Sequence, residues 1–170
     1  MRIVVAADPW GLELKNAVKV QLVELGHEVI DIGGSEAESV DYYDAASLAA
    51  RKIQNGEADR AVLCCGTGMG MAIVANKFKG IYASVVESVL AAKLCRAVND
   101  SNVLALGGLL ITPFVALQAV DAWLGTAHTE GLEQHKDFLC RALKNIAAIE
   151  ETTLMPIRSQ GETITPLNAG

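Results

Sequence analysis

A run of alternate glycines follows a short apolar segment, and a cysteine lies at the junction. Residues 61–65 are apolar, and Gly66, Gly68 and Gly70 come directly after them. Between a buried strand and a helix, such a segment lets several backbone N–H groups and the helix dipole point at one anion. The same glycines also suit a sharp turn that binds nothing. A dinucleotide-binding loop is not indicated, because that fingerprint requires a further glycine where Met71 stands.

Cys65 is the candidate base of this segment. A thiolate is favoured beside a helix N-terminus, which makes such a cysteine usable as a proton acceptor near neutral pH. We therefore expect Cys65 to remove a carbon-bound proton. The other three cysteines, Cys64, Cys95 and Cys140, lack metal-ligand spacing and are predicted to be small apolar core residues. This cysteine usage favours a reducing, cytoplasmic location.

Polar and aromatic side chains at the ends of the apolar runs are candidate ligands. Asp8 would bind sugar hydroxyls or cap the following helix, and Thr67 would relay a proton or cap its own helix. Tyr42 would reach the same crevice or only pack against its helix. Trp10 would stack on a ligand or belong to a subunit interface. For each residue, both interpretations stay open on the sequence alone.

Apolar runs and helical periodicity alternate along the chain, which predicts the elements that position these residues. Short apolar runs predict strands at 3–7, 28–32, 61–65, 81–86 and 102–106. Helical patterns with capping signals predict helices at about 11–25, 41–54, 69–78, 87–98, 112–124 and 130–150. This alternation predicts an α/β fold, a three-layer Rossmann-like sandwich in which a five-stranded parallel sheet has helices on both faces. The carboxyl ends of its strands would then carry the site.

Length and charge limit the possible partners. The 170 residues suit a single domain, which we place at residues 1–150. Residues 151–170 form a tail that is either frayed or docked on a partner subunit. The net charge of −6 argues against nucleic acid as a partner. Because no apolar run approaches the ~20 residues of a membrane span, no membrane association is expected.

Six segments in a fixed order give the chain a family resemblance. They are Asp8 and residues 11–15, 41–42, 65–70, 75–77 and 99–107. Their order and spacing resemble the family of ribose-5-phosphate isomerase B and galactose-6-phosphate isomerase, and the resemblance covers roughly residues 1–150. The agreement of separate loops is far more specific than any one motif.

The resemblance implies a reaction and a set of residues. It implies aldose–ketose isomerisation of a small sugar or sugar phosphate through an enediolate, without a metal or other cofactor. It implies a homodimer or a dimer of dimers whose active sites are shared between subunits. Cys65 matches the family's base, and Asp8, Tyr42 and Asn99 match sugar-binding positions. The developing oxyanion would be held by amides of the following loop, at Gly66, Gly68, Met69, Gly70 and Met71.

The chain departs from the family's pattern at both ends of the expected substrate. Pro9 and Val98 stand where many family members have histidines, the second of which opens the sugar ring. Leu109 replaces an arginine, and an arginine-rich run near the last helix is reduced to His135 with Lys136 beside it. Each charge-assisted hydrogen bond to a dianion is worth about 1.5–3 kcal/mol, so these losses disfavour ribose 5-phosphate. An open-chain or short sugar would not need the ring-opening histidine.

Several functions remain compatible with these residues. The favoured one is a metal-independent isomerase of a sugar phosphate of the ribose or galactose phosphate type, with Cys65 as base and Thr67 as proton relay. Trp10, His135 and Lys136 would help to hold the substrate. One alternative is an isomerase of a non-phosphorylated or uronate-derived sugar. Others are a nucleotide-binding regulatory module without catalysis and an idle subunit that pairs with an active relative.

Overall fold

Strands and helices alternate along the chain, as the sequence pattern predicts. The computed structural model describes residues 1–35 and 39–154. The strands within these ranges are β1 (Arg2–Ala7), β2 (Glu28–Asp31), β3 (Arg60–Cys65), β4 (Ala83–Val85) and β5 (Val103–Gly107). The α-helices are α1 (Leu12–Glu24), α2 (Tyr42–Gln54), α3 (Met69–Ala75), α4 (Val89–Asn99), α5 (Pro113–Gly125) and α6 (Lys136–Thr153). Short 3-10 helices at Pro9–Gly11 and Glu133–His135 precede α1 and α6.

The five strands form one parallel sheet in the order β2-β1-β3-β5-β4. Ala7 pairs with Cys64, and Cys65 pairs with Gly107, so the carboxyl ends of the three inner strands lie level with one another. The chain leaves β1 towards one side of the sheet and β3 towards the other. The crevice at such a reversal is where open parallel sheets bind their ligands. The predicted α/β sandwich is confirmed, and its reversal point lies between β1 and β3.

The two faces of the sheet carry separate apolar cores. Alternate residues of β3 point to opposite faces, because side chains in a strand have a period of two. Cys64 belongs to the core that includes residues of α1, α4 and α5, whereas Cys65 belongs to the core that includes residues of α2 and α3. The predicted apolar stripe of α1, at Leu14, Val18 and Leu22, is buried in the first of these cores. The two adjacent cysteines therefore have different neighbours.

Side-chain caps fix the start of two helices at the edge that carries the strand ends. Ser88 accepts the N–H of Ala91, so α4 begins two residues later than predicted. Thr112 accepts the N–H of Val115 before Pro113, as the sequence signal predicts. Asp41 is at the cap position of α2 but makes no capping hydrogen bond. Its carboxylate instead accepts the hydroxyl of Tyr43 at 2.5 Å.

The prediction of a last helix over 130–150 was wrong at both ends. Thr129 and Gly131 have left-handed φ angles of 69° and 72°, which interrupt a right-handed helix. A 3-10 turn follows, and α6 begins only at Lys136 and ends at Thr153. The tail predicted from residue 151 is thus helical in its first three residues. Residues 155–170 lie outside the described residues.

Strand β4 is shorter than the predicted 81–86, and side chains supply hydrogen bonds at its start. Asn76 both donates to the carbonyl of Ala83 and accepts its N–H. Asn102 accepts the N–H of Tyr82 through its side chain. The Tyr82 carbonyl still accepts the backbone N–H groups of Asn102 and Val103, so residue 82 adjoins the start of β5 without extending the regular ladder. Helix α3 ends at Ala75, three residues before the predicted end, and Asn76 caps it.

Helix α6 contributes little to the core. Its 18 residues are all described, and Leu139 alone among them is buried. Phe138 and Ile149 are 62% and 59% exposed. No helix among the described residues combines the length and the apolar character that crossing a lipid bilayer requires. A long helix with exposed apolar residues indicates a surface that this chain alone does not cover.

Gly11 is a position at which the fold tolerates no side chain. A Cβ atom there would collide with the carbonyl group of Cys64. We expect Gly11→Ala to lower the free energy of unfolding by about 3 kcal/mol, because two backbone segments must separate. Gly125→Ala is the matched control, since a Cβ there meets nothing within 4 Å. It should change stability by less than about 1 kcal/mol. Chemical denaturation of both variants checks the difference, and equal losses would contradict it.

Candidate active site

Three loops meet at the reversal point of the sheet and are joined by backbone hydrogen bonds. The N–H of Asp8, after β1, donates to the carbonyl of Cys64 at 3.2 Å. After β5, the N–H groups of Gly108 and Leu109 donate to the carbonyls of Cys65 and Gly66 at 2.8 and 2.9 Å. The segment after β3 is therefore held from both sides. This places the predicted cysteine and glycine loop at the centre of the sheet edge.

The sulfur of Cys65 is held by the glycine loop. Gly68 donates its backbone N–H to Sγ at 3.0 Å. Gly68 has a left-handed φ of 76°, and a Cβ there would lie 3.1 Å from the backbone of Ala105 and Leu106. A glycine is thus needed to turn this amide towards the sulfur. Cys65 is 5% exposed, and an N–H donor aimed at sulfur interacts more strongly with a thiolate than with a thiol.

Cys64 has the opposite environment. It is fully buried on the other face of the sheet, and burial raises the pKa of its thiol far above the ordinary value, with a smaller contribution from Cys65. It therefore stays protonated and acts as a small apolar residue. Cys95 is also buried, and desolvation raises the pKa of its thiol as well. The prediction that these two cysteines are core residues is confirmed.

The amides of the loop have different partners. The N–H of Met69 approaches Oγ1 of Thr67 at 3.4 Å, which is the capping role that the sequence left open for Thr67. The Gly68 amide, predicted to contact the substrate, points at the sulfur instead. The first turn of a helix leaves its N–H groups without helical acceptors. In α3 these groups include Gly70 and Met71, but Met71 has no exposed surface. Gly70 is therefore the amide best placed to meet an oxyanion, and the prediction that Met71 also contacts the substrate is not supported.

The end of β5 fixes the position of this loop. A Cβ atom at Gly107 would lie 2.8 Å from the backbone of Thr67. Only a glycine permits so close an approach of two backbone segments. Gly107 belongs to the family pattern in the sequence, but only the fold shows that it contacts the segment at Thr67.

Tyr42 reaches the glycine loop from α2. A Cβ atom at Gly70 would lie 2.8 Å from the Tyr42 ring, so the ring covers the glycine directly. Tyr42 packs edge-on against Tyr43, with ring centroids 5.3 Å apart. Tyr43 is anchored by its hydroxyl on Asp41. The Tyr42 side chain, which is 41% exposed, therefore lies at the crevice. This agrees with the interpretation that Tyr42 reaches the crevice.

Apolar side chains border the other side of the loop. A Cβ at Gly66 would lie 3.4 Å from Leu109 Cδ1 and 3.5 Å from Trp10 Cβ. Trp10 and Leu109 are 69% and 65% exposed in the single chain. Large exposed apolar residues beside a polar crevice are typical of a surface that a ligand or a second subunit covers. Both interpretations given for Trp10 remain compatible with this position.

Asp8 is buried at the start of the first loop and caps it. Its Oδ1 accepts the N–H groups of Trp10 and Gly11 at 2.9 and 3.1 Å. Within the described residues, Oδ2 is left without a hydrogen-bond partner. Burial raises the pKa of the carboxyl, the two N–H donors oppose this rise, and Asp41 adds to it. Asp8 therefore has the capping role, and its second oxygen remains available for a hydroxyl group.

Three of the predicted ligands do not lie at the carboxyl ends of the strands beside Cys65. They are Asn99, His135 and Lys136. Asn99 ends α4, and the chain then enters β5 at Val103, which pairs with the first residues of β3 and β4. The five residues of β5 span roughly 13 Å at about 3.3 Å each, so Asn99 lies at the opposite edge from Cys65. The loop that leads to His135 and Lys136 is joined to this opposite edge by the Thr129 N–H, which donates to the carbonyl of Ala97.

Lys15 is a residue to which the sequence analysis gave no role. It is 2% exposed, and its ammonium group lies below the loop that follows β2. The sequence contains a signal for the burial of Lys15. Positions 15, 18 and 22 lie on one helical face, and the residues at 18 and 22 are apolar. A lysine on such a face indicates a buried cation with specific partners.

A cavity of about 720 Å³ adjoins Lys15 on the outer side of β1. Its lining comprises Lys15, Asn16, Lys19, residues 31–35 and Val40. Cys65 is not among the lining residues. The cavity is therefore separate from the candidate site between β1 and β3.

Comparison with known proteins identifies the class. The model of the family described as Ribose/Galactose Isomerase matches residues 3–138. The chain is 45% identical to a 4-deoxy-4-sulfo-D-erythrose isomerase of Clostridium sp. (strain MSTE9), over 89% of this chain and 97% of that protein. It is 41% identical to ribose-5-phosphate isomerase B of Escherichia coli K12, over 88% and 97%. The structure of Clostridium thermocellum ribose-5-phosphate isomerase B superimposes with a TM-score of 0.81 at 37% identity, covering 89% and 98%.

The fold and the matches together define a sugar isomerase, an enzyme that moves hydrogen within one substrate molecule. The chain belongs to the ribose/galactose isomerase family. The resemblance seen in the sequence is thereby confirmed. The alternative of a nucleotide-binding regulatory module is not supported, because the family model and the three relatives described above are sugar isomerases.

The raised pKa of Asp8 predicts how its replacement changes stability with pH. An aspartate whose pKa is raised on folding contributes full stability below its unfolded pKa, about 3.9, and loses it as pH rises. Asparagine keeps the Oδ1 acceptor for Trp10 and Gly11 but cannot ionise. We therefore expect the Tm of Asp8→Asn, relative to wild type, to be higher at pH 7 than at pH 3. Thermal unfolding at both pH values measures this, and a lower relative Tm at pH 7 would contradict it.

Proposed function

We propose that the chain is an aldose–ketose isomerase in which Cys65 is the catalytic base. The observation that carries this proposal is the Gly68 N–H directed at Cys65 Sγ, beside the Gly70 amide in the first turn of α3. A proton acceptor and an oxyanion donor thus lie within one loop. Asp8 and Tyr42 border the same crevice and supply polar groups for hydroxyls. This is the arrangement that transfer of a proton between adjacent carbons requires.

The proposed reaction has two proton transfers on carbon. The Cys65 thiolate removes the proton from C2 of the aldose, and the electron pair moves so that the carbonyl oxygen on C1 becomes an enediolate oxygen. The Gly70 amide stabilises this charge. Thr67 moves a proton between the two oxygens, and the Cys65 thiol returns its proton to C1. The product is the ketose, and the thiolate is regenerated.

The proposed substrate is an open-chain aldose of four carbons with an acidic group at C4. A tetrose whose C4 carries phosphate or sulfonate has no free hydroxyl there to close a five-membered ring. Ring opening is then unnecessary, which agrees with Pro9 and Val98 at the positions where family members carry histidines. The relative that is 45% identical acts, by its name, on 4-deoxy-4-sulfo-D-erythrose.

A singly charged sulfonate suits the cations better than a phosphate dianion. Leu109 offers no charge at the mouth of the loop, and Lys136 beside His135 takes the place of an arginine-rich run. A sulfonate is a monoanion at all physiological pH values, so it needs fewer charge-assisted hydrogen bonds. We therefore place a sulfonated tetrose before the phosphates of ribose or galactose that the family resemblance implies.

We propose further that two copies of the chain share each active site. Asn99, His135 and Lys136 lie away from Cys65 in their own chain, so they contact the substrate only if a second copy presents them. The exposed apolar residues Phe138 and Ile149 of α6 supply a surface for that copy. A homodimer meets this requirement, and a dimer of dimers would repeat it.

A reducing compartment agrees with this chemistry. All four cysteines lie in the described residues, and all are free thiols. Catalysis by a thiolate requires that Cys65 stay reduced. We therefore propose the cytoplasm as the location, without a membrane or nucleic acid partner.

A panel of substrates in heavy water tests the reaction. Wild type should introduce deuterium at C1 of the ketose, with kcat/KM for 4-deoxy-4-sulfo-D-erythrose at least about tenfold above that for ribose 5-phosphate. Cys65→Ala should reduce deuterium entry by at least about 100-fold without loss of fold, because it removes the base. Cys64→Ala is the matched control and should retain exchange. Normal exchange by Cys65→Ala would refute the base, and a preference for ribose 5-phosphate would refute the substrate.

Mixed oligomers test the shared site. Cys65→Ala and Asn99→Ala should each be nearly inactive alone, but co-expression with different tags should restore activity at least about tenfold in the purified hybrid. One of its sites then combines an intact Cys65 with an intact Asn99 from the other chain. Pairing Cys65→Ala with the double variant C65A/N99A is the control and should restore nothing. A hybrid no more active than its parents would show that one chain holds the whole site.

A further inference from the structure

Lys15 is a buried cation whose hydrogen-bonding capacity is fully used. Its Nζ donates to Asp31 Oδ1 at 2.9 Å and to the carbonyls of Gly33 and Gly34 at 3.0 and 2.6 Å. A lysine ammonium has three donors, so none is left for a ligand. The group therefore cannot bind substrate directly. It ties helix α1 to the first residues after β2.

Asp31 has two lysine partners, and only one of them contacts the loop. Lys19 donates to Asp31 Oδ2 at 2.8 Å and is 46% exposed in its side chain. Burial pushes the pKa of Asp31 upward, but the hydrogen bonds and charges of Lys19 and Lys15 outweigh this and leave it below the usual value. The carboxylate is thus charged and balances both ammonium groups. Lys19 makes the same ion pair without the carbonyl contacts.

The residues held by Lys15 contact the end of β1. The carbonyl of Gly33 accepts the N–H of Ala7 at 3.4 Å. Gly34 has a left-handed φ of 73°, and a Cβ there would collide with the carbonyl oxygen of Ala7. The next residue is Asp8, whose own N–H donates to Cys64. The peptide that carries Asp8 is therefore fixed between Gly33–Gly34 on one side and β3 on the other.

We propose that Lys15 is a positioning residue for Asp8. Its ammonium holds Gly33 and Gly34 against Ala7, and this contact sets where the Asp8 carboxylate stands in the crevice. The inference rests on the proposed function in one respect, which is that Asp8 binds the sugar. A purely structural lysine would stabilise the chain without a selective effect on substrate binding.

Amide hydrogen exchange measured by NMR on the full chain tests the positioning without a substrate. The Trp10 and Gly11 amides donate to Asp8 Oδ1 and therefore report on its position. Lys15→Met should speed their exchange at least about tenfold relative to wild type, because the carboxylate is no longer held. Lys19→Met removes the other lysine partner of Asp31 and should change the exchange rates of these two amides by less than about twofold. If Lys15→Met does not fold, Lys15→Gln, which keeps two N–H donors, takes its place.

Kinetics with the sulfonated tetrose give the second readout. Lys15→Met should raise KM at least about tenfold with kcat within about threefold, as expected when binding contacts are lost uniformly. Because Lys15 acts through Asp8, the double variant D8N/K15M should have a KM within about twofold of D8N. The proposal is overturned if the effects of D8N and K15M on KM multiply in the double variant. It is also overturned if Lys15→Met leaves amide exchange at Trp10 and Gly11 unchanged. A wild type that isomerises no sugar refutes the proposed function instead, and the exchange experiment still decides the role of Lys15.

Discussion

The hydrogen bond from Gly68 to the sulfur of Cys65 is the interaction on which the site depends. It forms only because Gly68 adopts a left-handed conformation and lies against the backbone of β5. Gly107 in turn allows β5 to approach Thr67 closely. The backbone of two adjacent strands thus orients one N–H. A side chain added at either glycine would press on this backbone and displace the donor from the sulfur.

The alternation of apolar runs and helical stripes was enough to predict the layers of the fold, because burial on two faces leaves a clear pattern. It was also enough to place Asp8 and Cys65 at one sheet edge. Helix ends were less predictable, as the last helix shows. Gly131, which lies inside the predicted helix, takes a left-handed φ of 72°. A glycine within a helical pattern is often tolerated, so the sequence did not show that the helix is interrupted there.

The position of Asn99 shows a second limit of sequence reasoning. A motif gives the order of residues along the chain, whereas a helix that runs back across the sheet separates them in space. Asn99 and Cys65 belong to one family pattern but lie at opposite edges in this chain. Lys15 illustrates the converse, because it lies in the same pattern and its contacts with two carbonyls become visible only when the loop is folded over it.

The alternating faces of β3 make the register of this strand important for the candidate site. A shift of β3 by one residue along β1 and β5 would turn every side chain of the strand to the opposite face. Cys64 would then lie beneath the glycine loop, and Cys65 would enter the core beside α1. A thiol would still stand at the crevice after such a shift, but it would be one residue further from Gly68 along the chain. The candidate site therefore depends on the register of β3 as well as on the presence of a thiol.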